Sequence, residues 1–327
     1  MSIEKKISLL DVFAESLKKV DNEIFKRLDA TLPLLAEIGT HLIKAKGKRI
    51  RPILTLAMAG QLNDFSRNPI LLATAVEFIH TATLLHDDVV DESDFRRGVK
   101  TANRIWGNEA SVLAGDFLFA QSFDLMVETN SLEALSSLSK ASCKITQGEF
   151  KQMQISNNPN TKIDDYFEVI GGKTAQLFGS ACESGIIVAN GNEEQINAAH
   201  SYGFNIGLAF QIIDDVIDYT LEKNVSGKNI GDDFKLGKTT LPIILAWEKS
   251  NTNEKDFWIR TIKLLEQNEK DFEYAKNIMK KYKIIEECKK LASNFINISL
   301  SSLNVFPENE YKIPLKNLAN ESLIRTK

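Results

Sequence analysis

Apolar side chains recur at three- and four-residue steps along most of this chain, the period of a helix with one buried face. Leu71, Leu72, Ala75, Val76, Ile79 and Thr83 mark one such face. The stretches Val112 to Val127, Cys143 to Met153, Asp164 to Ala189 and Ile196 to Tyr219 read the same way. No run sustains two-residue alternation, and no Asn-Gly or Asp-Gly pair joins β-branched runs, so no sheet is expected. Seven prolines and 17 glycines in 327 residues leave few places for a helix to stop. Breaks are expected at 60–68, 157–162, 190–193 and 223–240, with Pro242 restarting a helix near its first position. Residues 250–300 are more charged and Asn-rich, which suits peripheral amphipathic helices, and a Phe306–Asn309 turn precedes a last helix containing Pro314. No shift in composition marks a linker, so residues 1–327 read as a single all-α domain.

The bulk properties exclude some partners. A net charge of -4 and a pI near 5.8 give no sign of a nucleic-acid or acidic-membrane partner. Cys143, Cys182 and Cys288 are odd in number and lack metal-type spacing, and read as reduced thiols. The N-terminus, MSIEKKISLLDVFAES, has charges on both sides of a very short apolar patch and lacks a signal-peptide core. No stretch reaches the roughly 18 uncharged apolar residues of a membrane span. The longest candidate, Pro69 to Leu85, is interrupted by Glu77 and His80. A cytoplasmic protein without a transmembrane segment, soluble or peripheral to a membrane, is expected.

Two helical runs end in the same pattern. Residues 77–86 lead into Asp87-Asp88-Val89-Val90-Asp91, and Phe210-Gln211-Ile212-Ile213 leads into Asp214-Asp215-Val216-Ile217-Asp218. Positions i and i+4 share a helix face, so Asp87 with Asp91, or Asp214 with Asp218, can reach one cation together. Oxygen donors without nitrogen or sulfur select a hard cation, and magnesium, which shares its shell with substrate phosphates, is the usual choice. A single cluster could equally be a solvated patch. Three like charges breaking an apolar run, repeated at identical spacing, argue for cations that compensate them and for a double clamp on a polyanion.

Basic residues flank the clusters. Arg96 and Arg97 follow Asp91 closely and suit bidentate phosphate recognition, against the plainer reading of a solvated helix end. Lys46, Lys48, Arg49 and Arg51 surround Gly47 and lead into Pro52, a phosphate-binding or simply basic loop. Gly171-Gly172-Lys173-Thr174 would kink a helix, either to bring Lys173 to a ligand or to pack a glycine pair. The segment 223–240 nearly imitates a phosphate-binding P-loop. It fails because five residues separate Gly231 from Gly237 and the preceding element reads as helix, which excludes an NTPase. Its glycines, with Lys228 and Lys238, suit a flexible lid over a diphosphate instead. His80 lies two turns before Asp87 on nearly the same face, as a core residue or a phosphate ligand.

The runs GKRIRP, EFIHTATLLHDDVVDESDFRRG, GGKTA and FQIIDDVIDYT, in this order, resemble the motifs of the trans-isoprenyl diphosphate synthases, the polyprenyl synthetase family. The resemblance covers residues 35–245 well and the C-terminal part more loosely. It implies a helical bundle of the isoprenoid-synthase type around a central cavity, usually as a homodimer. It implies that Lys48, Arg51, His80 and Arg97 bind isopentenyl diphosphate. Asp87, Asp88, Asp91, Asp214, Asp215 and Asp218 would hold magnesium on an allylic diphosphate, farnesyl diphosphate being the expected primer. Arg96, Lys173, Thr174, Gln211, Lys228 and Lys238 would contact that same substrate. Asp87, Asp88, Asp91, Asp214 and Asp215, with Lys173, would then carry catalysis by stabilising the departing diphosphate.

The growing tail would meet residues one turn before Asp87 first. Thr83 and Ala82 stand there, where family members that stop at fifteen carbons resemble one another in carrying aromatic rings. With the run FLFAQSFDLMVE at 117–128, the wording is most similar to octaprenyl and decaprenyl diphosphate synthases, implying a C40–C50 quinone side chain with Met126 or its neighbours nearer the tunnel floor. A geranylgeranyl (C20) synthase is the alternative. A non-catalytic subunit of a heteromeric prenyltransferase is a further one, against which all six aspartates are present.

Overall fold

The computed structural model describes residues 8–29, 32–44, 47–96, 98–220 and 231–324. Apart from the two-residue strands Phe95–Arg96 and Val99–Lys100, its regular elements are helices, as the periodicity predicts. That hairpin is too short for any alternation to announce it. The chain forms two compact units, the first from Met1–Ser142, Leu177–Gly203 and Ser301–Leu318, the second from Cys143–Gln176, Phe204–Leu300 and Ala319–Lys327.

In the first unit the Arg67–Val90 helix is buried at every position from Leu71 to Ile79, a wider face than the sequence stripe predicts. Glu77 is tolerated there because it is ion-paired with Arg49, which precedes the Ile50–Gln61 helix. The Asn108–Glu128 helix runs antiparallel beside it. Ser111 Oγ donates to the Leu85 carbonyl at 3.1 Å near one end, and Asn68 Nδ2 to the Thr129 carbonyl at 3.3 Å at the other. A side chain at Gly115 would lie 2.3 Å from His86 Nε2, so glycine makes room for that imidazole. Likewise a Cβ at Gly185 would lie 2.3 Å from the Thr55 carbonyl, where the Gln176–Val188 and Ile50–Gln61 helices meet backbone to backbone.

By length and mean hydropathy the Arg67–Val90 and Asn108–Glu128 helices are both apolar enough to cross a membrane. Neither holds the uncharged run expected of a span, because Glu77 interrupts the first and Asp116 and Asp124 the second. In the fold the first is a core helix, with 67% of its most apolar stretch buried against 39% for the second.

The second unit is organised around Phe234, 1% exposed and packed among Phe257, Trp258 and Phe272. This fixes the end of the segment expected to be a lid. Gly231 N–H donates to the Asp218 carbonyl at 3.2 Å, Asp232–Lys235 is a helical turn, and Asn157 N–H donates to the Gly237 carbonyl at 3.2 Å. Gly237, at φ +64, leaves no room for a Cβ, which would lie 2.2 Å from Asn157 Nδ2. From Gly231 onward the lid expectation is therefore corrected, since aromatic burial and backbone pairing hold the segment. Residues 221–230, including Lys228, lie outside the described residues, as do Lys46 and Arg97.

The Gly171–Gly172 break falls in a π turn, one of the usual causes of a bend in a helix. The helix continues through a π turn at Gly171–Ala175 from Ile163–Ile170 into Gln176–Val188. The glycine packs as well: a Cβ on Gly172 would lie 2.7 Å from the Lys144 carbonyl, and one on Gly148 2.6 Å from Lys173 N. Two helices touch there through their backbones. Cys143, Cys182 and Cys288 are free thiols.

Candidate active site

Both aspartate clusters occupy the last turns of long helices, Arg67–Val90 and Glu193–Thr220. Helix C-termini carry the negative end of the backbone dipole, so six carboxylates there are opposed by the field unless cations offset it. The outer aspartates are the accessible ones. Asp87, Asp214 and Asp218 are half-buried and Asp91 is exposed, whereas Asp88 and Asp215 are 2% and 4% exposed.

The two buried aspartates are held in different ways. Asp88 Oδ1 accepts from Arg96 Nε at 2.9 Å and Nη2 at 2.7 Å, and the hairpin returns Arg96 to it. Asn103 Nδ2 secures the Asp88 carbonyl at 3.1 Å. Asp215, in the second unit, has two neutral partners among the described residues. Tyr166 Oη donates to its Oδ2 at 2.7 Å and Gln211 Nε2 to its Oδ1 at 2.8 Å. Burial, and then the charge of Asp233, holds the Asp215 carboxyl well above the usual carboxylate range, although both donors pull the other way.

Other predicted residues group within each unit. In the first, Arg51 Nη1 lies 3.1 Å from His80 Nε2, and its guanidinium stacks 4.3 Å from the Phe178 ring centre. A guanidinium only donates, so this contact leaves His80 Nε2 as the acceptor and the imidazole neutral. Lys48 is exposed just before that helix. In the second, Thr174 Oγ1 donates to Gln211 Oε1 at 2.9 Å, and Lys173 Nζ pairs with Glu149 at 2.7 Å. Lys238 is half-buried beyond Gly237, its N–H donating to the Asp233 carbonyl at 2.9 Å. Asp218 Oδ2 accepts the Asp233 N–H at 3.2 Å.

Ala82 is 1% exposed and Met126 fully buried in the first unit, while Thr83 is half-buried with its hydroxyl donating to the His80 carbonyl. The antiparallel register sets Thr129 beside Asn68 and hence Met126 near residue 71. Met126 therefore lies roughly 16 Å farther from the aspartates than Ala82, counting eleven helical rises.

Among the described residues, no three His, Cys, Asp or Glu side chains converge into a ready-made metal cage. Each cluster, taken by itself, still fits a hard divalent cation that completes its shell from a ligand. Each offers oxygens only, at a negative helix end, with two accessible aspartates beside a buried one.

A polyprenyl synthetase model matches residues 32–279. The chain belongs to the polyprenyl synthetase family. This synthetase is 39% identical to the octaprenyl diphosphate synthase of Haemophilus influenzae, over 99% of its own length and 98% of that protein's. Its fold matches a decaprenyl diphosphate synthase from Rhodobacter capsulatus with a TM-score of 0.93, at 41% identity and 98% coverage of both chains. A polyprenyl synthase from Caulobacter crescentus, solved with calcium and isoprenyl diphosphate, also gives 0.93, at 41% identity, covering 98% of this chain and 97% of that one. The synthetase is thus a prenyltransferase with the all-α isoprenoid-synthase fold.

Sequence reasoning missed three supports of the site: Tyr166 under Asp215, Asn103 under Asp88, and Glu149 beside Lys173. Tyr166 and Asp215 are 49 positions apart, and no local pattern signals such a pair.

Proposed function

We propose that this synthetase is a long-chain trans-polyprenyl diphosphate synthase, adding isopentenyl diphosphate head-to-tail to farnesyl diphosphate until the product reaches C40–C50 for a quinone side chain. The observation that carries the reading is full-length identity to octaprenyl and decaprenyl synthases with both aspartate clusters intact. The small Ala82 and Thr83 support a tail longer than C15, and Met126, farther from the first aspartate cluster, suits the floor of the tunnel.

In this reading the accessible pairs Asp87 with Asp91 and Asp214 with Asp218 are the direct magnesium ligands, and buried Asp88 and Asp215 add charge beneath them. Magnesium held by these aspartates would supply positive charge to the leaving diphosphate. Arg96, Lys173, Thr174, Gln211, Lys228 and Lys238 hold the allylic diphosphate. Lys173, paired with Glu149, would change partner to reach it. Lys48, Arg51, His80 and Arg97 hold isopentenyl diphosphate, with neutral His80 bound to Arg51 rather than serving as a base. The isopentenyl double bond forms the new carbon–carbon bond at the allylic cation and a proton is lost, with released diphosphate as its acceptor. No nucleophilic Ser, Cys or His takes part.

The chain would work in the cytoplasm, peripheral to the membrane that receives its product, as one catalytic domain over residues 1–327 and as a homodimer. Val112, Leu113 and Val127, exposed on the apolar Asn108–Glu128 helix, support a partner surface. The test is to incubate the enzyme with magnesium, labelled isopentenyl diphosphate and farnesyl diphosphate, then resolve the dephosphorylated products by reversed-phase chromatography. A C40–C50 band is expected. A C20 band would replace the long-chain reading, and no incorporation by folded protein would favour a non-catalytic subunit.

A further inference from the structure

Tyr166, 2% exposed on the Ile163–Ile170 helix, begins an unbroken line of hydrogen bonds in the second unit. Its hydroxyl donates to Asp215 Oδ2 at 2.7 Å, Gln211 Nε2 donates to Asp215 Oδ1 at 2.8 Å, and Gln211 Oε1 accepts from Thr174 Oγ1 at 2.9 Å. Each Asp215 oxygen receives one donor, which fixes the carboxylate plane from both sides. Gln211 turns its NH2 toward Asp215 and its carbonyl toward Thr174, so the line runs in one sense through the buried Asp215 carboxyl. A phenyl ring at position 166 would fill the same space but leave Asp215 Oδ2 without its donor, and a buried acceptor deprived of its partner is costly.

We propose that Tyr166 is a positioning residue of the second aspartate cluster: by fixing Asp215, and through it Gln211 and Thr174, it pre-forms the surroundings in which Asp214 and Asp218 take their cation. The inference rests on the reading of Asp214 and Asp218 as cation ligands. Outer partners of this kind orient ligating groups, and their loss weakens metal binding without removing a ligand.

The test uses the full chain and the rise in melting temperature that magnesium chloride produces at fixed inorganic diphosphate. Tyr166→Phe is expected to raise the half-saturating magnesium concentration about tenfold. The melting temperature in chelator should hold within a few degrees and the KM for isopentenyl diphosphate should not change, whereas kcat falls. Tyr166→His, which keeps a donor, should recover part of the magnesium response. An unchanged magnesium midpoint in Tyr166→Phe overturns the proposal, as does a fall in chelator stability with that midpoint intact. Should Tyr166→Phe not fold, 3-fluorotyrosine placed at 166 gives a fluorine resonance expected to shift when magnesium and diphosphate are added, and its standing still overturns the proposal. Asp214→Ala separates the two levels of the reading. Loss of the magnesium response there, with Tyr166→Phe unaffected, removes this inference alone, whereas its retention in Asp214→Ala removes the cation reading of the cluster.

Discussion

Asp88 and Asp215 hold the same place in two D-D-x-x-D clusters, yet their partners differ. The guanidinium of Arg96 compensates Asp88, while Tyr166 and Gln211 give Asp215 hydrogen bonds but no charge. Removing either negative charge should therefore change metal-free stability in opposite directions. Asp88→Asn leaves a half-buried Arg96 without its counter-ion and is expected to lower stability by about 1.5–3 kcal/mol, the scale of a hydrogen bond to a charged group. Asp215→Asn removes a buried carboxyl whose charged form folding disfavours and is expected to raise the melting temperature in chelator, while weakening further stabilisation by magnesium. The pH dependence follows from the raised Asp215 pKa. Above the ordinary value near 3.9 the unfolded chain has lost a proton that the folded chain retains, so metal-free stability falls as pH rises toward the folded pKa. Melting curves at several pH values should show that slope in the wild type and a weaker one in Asp215→Asn; equal slopes would locate the effect elsewhere. The aspartates and their spacing were legible in the sequence, because helical period alone puts i and i+4 on one face. What distinguishes Asp88 from Asp215 was not legible, since Tyr166 comes from another helix.

At the scale of elements, the helices announced themselves through period and through Gly, Pro and Asn at their ends, as at Asn157 and Asn190, both at positive φ. Short or irregular pieces did not. A two-residue strand has no period, and a π turn has no compositional signature, because it differs from an α turn only in which carbonyl the N–H meets. The segment from Gly231 looked mobile because glycine and lysine are frequent in loops, but Phe234 anchors it. The π turn yields a prediction at this scale. A methyl group on Gly172 would crowd the Lys144 carbonyl and the Gly148 Cα, where backbone cannot give way as a flexible side chain would. Gly172→Ala is expected to cost about 1–3 kcal/mol in denaturant unfolding. By displacing Lys173 from its station beside Glu149, it should also lower turnover more than it raises the KM for isopentenyl diphosphate.

For the whole molecule, the all-α class and the family were legible from motif wording and order, and the comparisons agree. The unit-by-unit arrangement was not, since each unit gathers chain segments far apart in sequence. Product length belongs to this scale because, with the tunnel placed as proposed, it would depend on how far a tail can travel beside the Arg67–Val90 helix. Ala82→Phe should shorten the product sharply, with an unchanged length refuting the tunnel placement. Ala75 is fully buried two turns farther from Asp87, about 10 Å along the same face. Ala75→Phe should then give a product between those of Ala82→Phe and wild type, read in the same chromatogram; inversion of that order would refute the direction assigned to the tail.

The antiparallel pairing of the Arg67–Val90 and Asn108–Glu128 helices makes this more than a pair of mutants. A helix advances by a fixed increment per residue, so with the tunnel placed as proposed this face would work as a graduated scale, with the reacting ends at one end and Met126 toward the other. A lineage could then change its product length by moving one bulky side chain along that scale, leaving every diphosphate contact untouched.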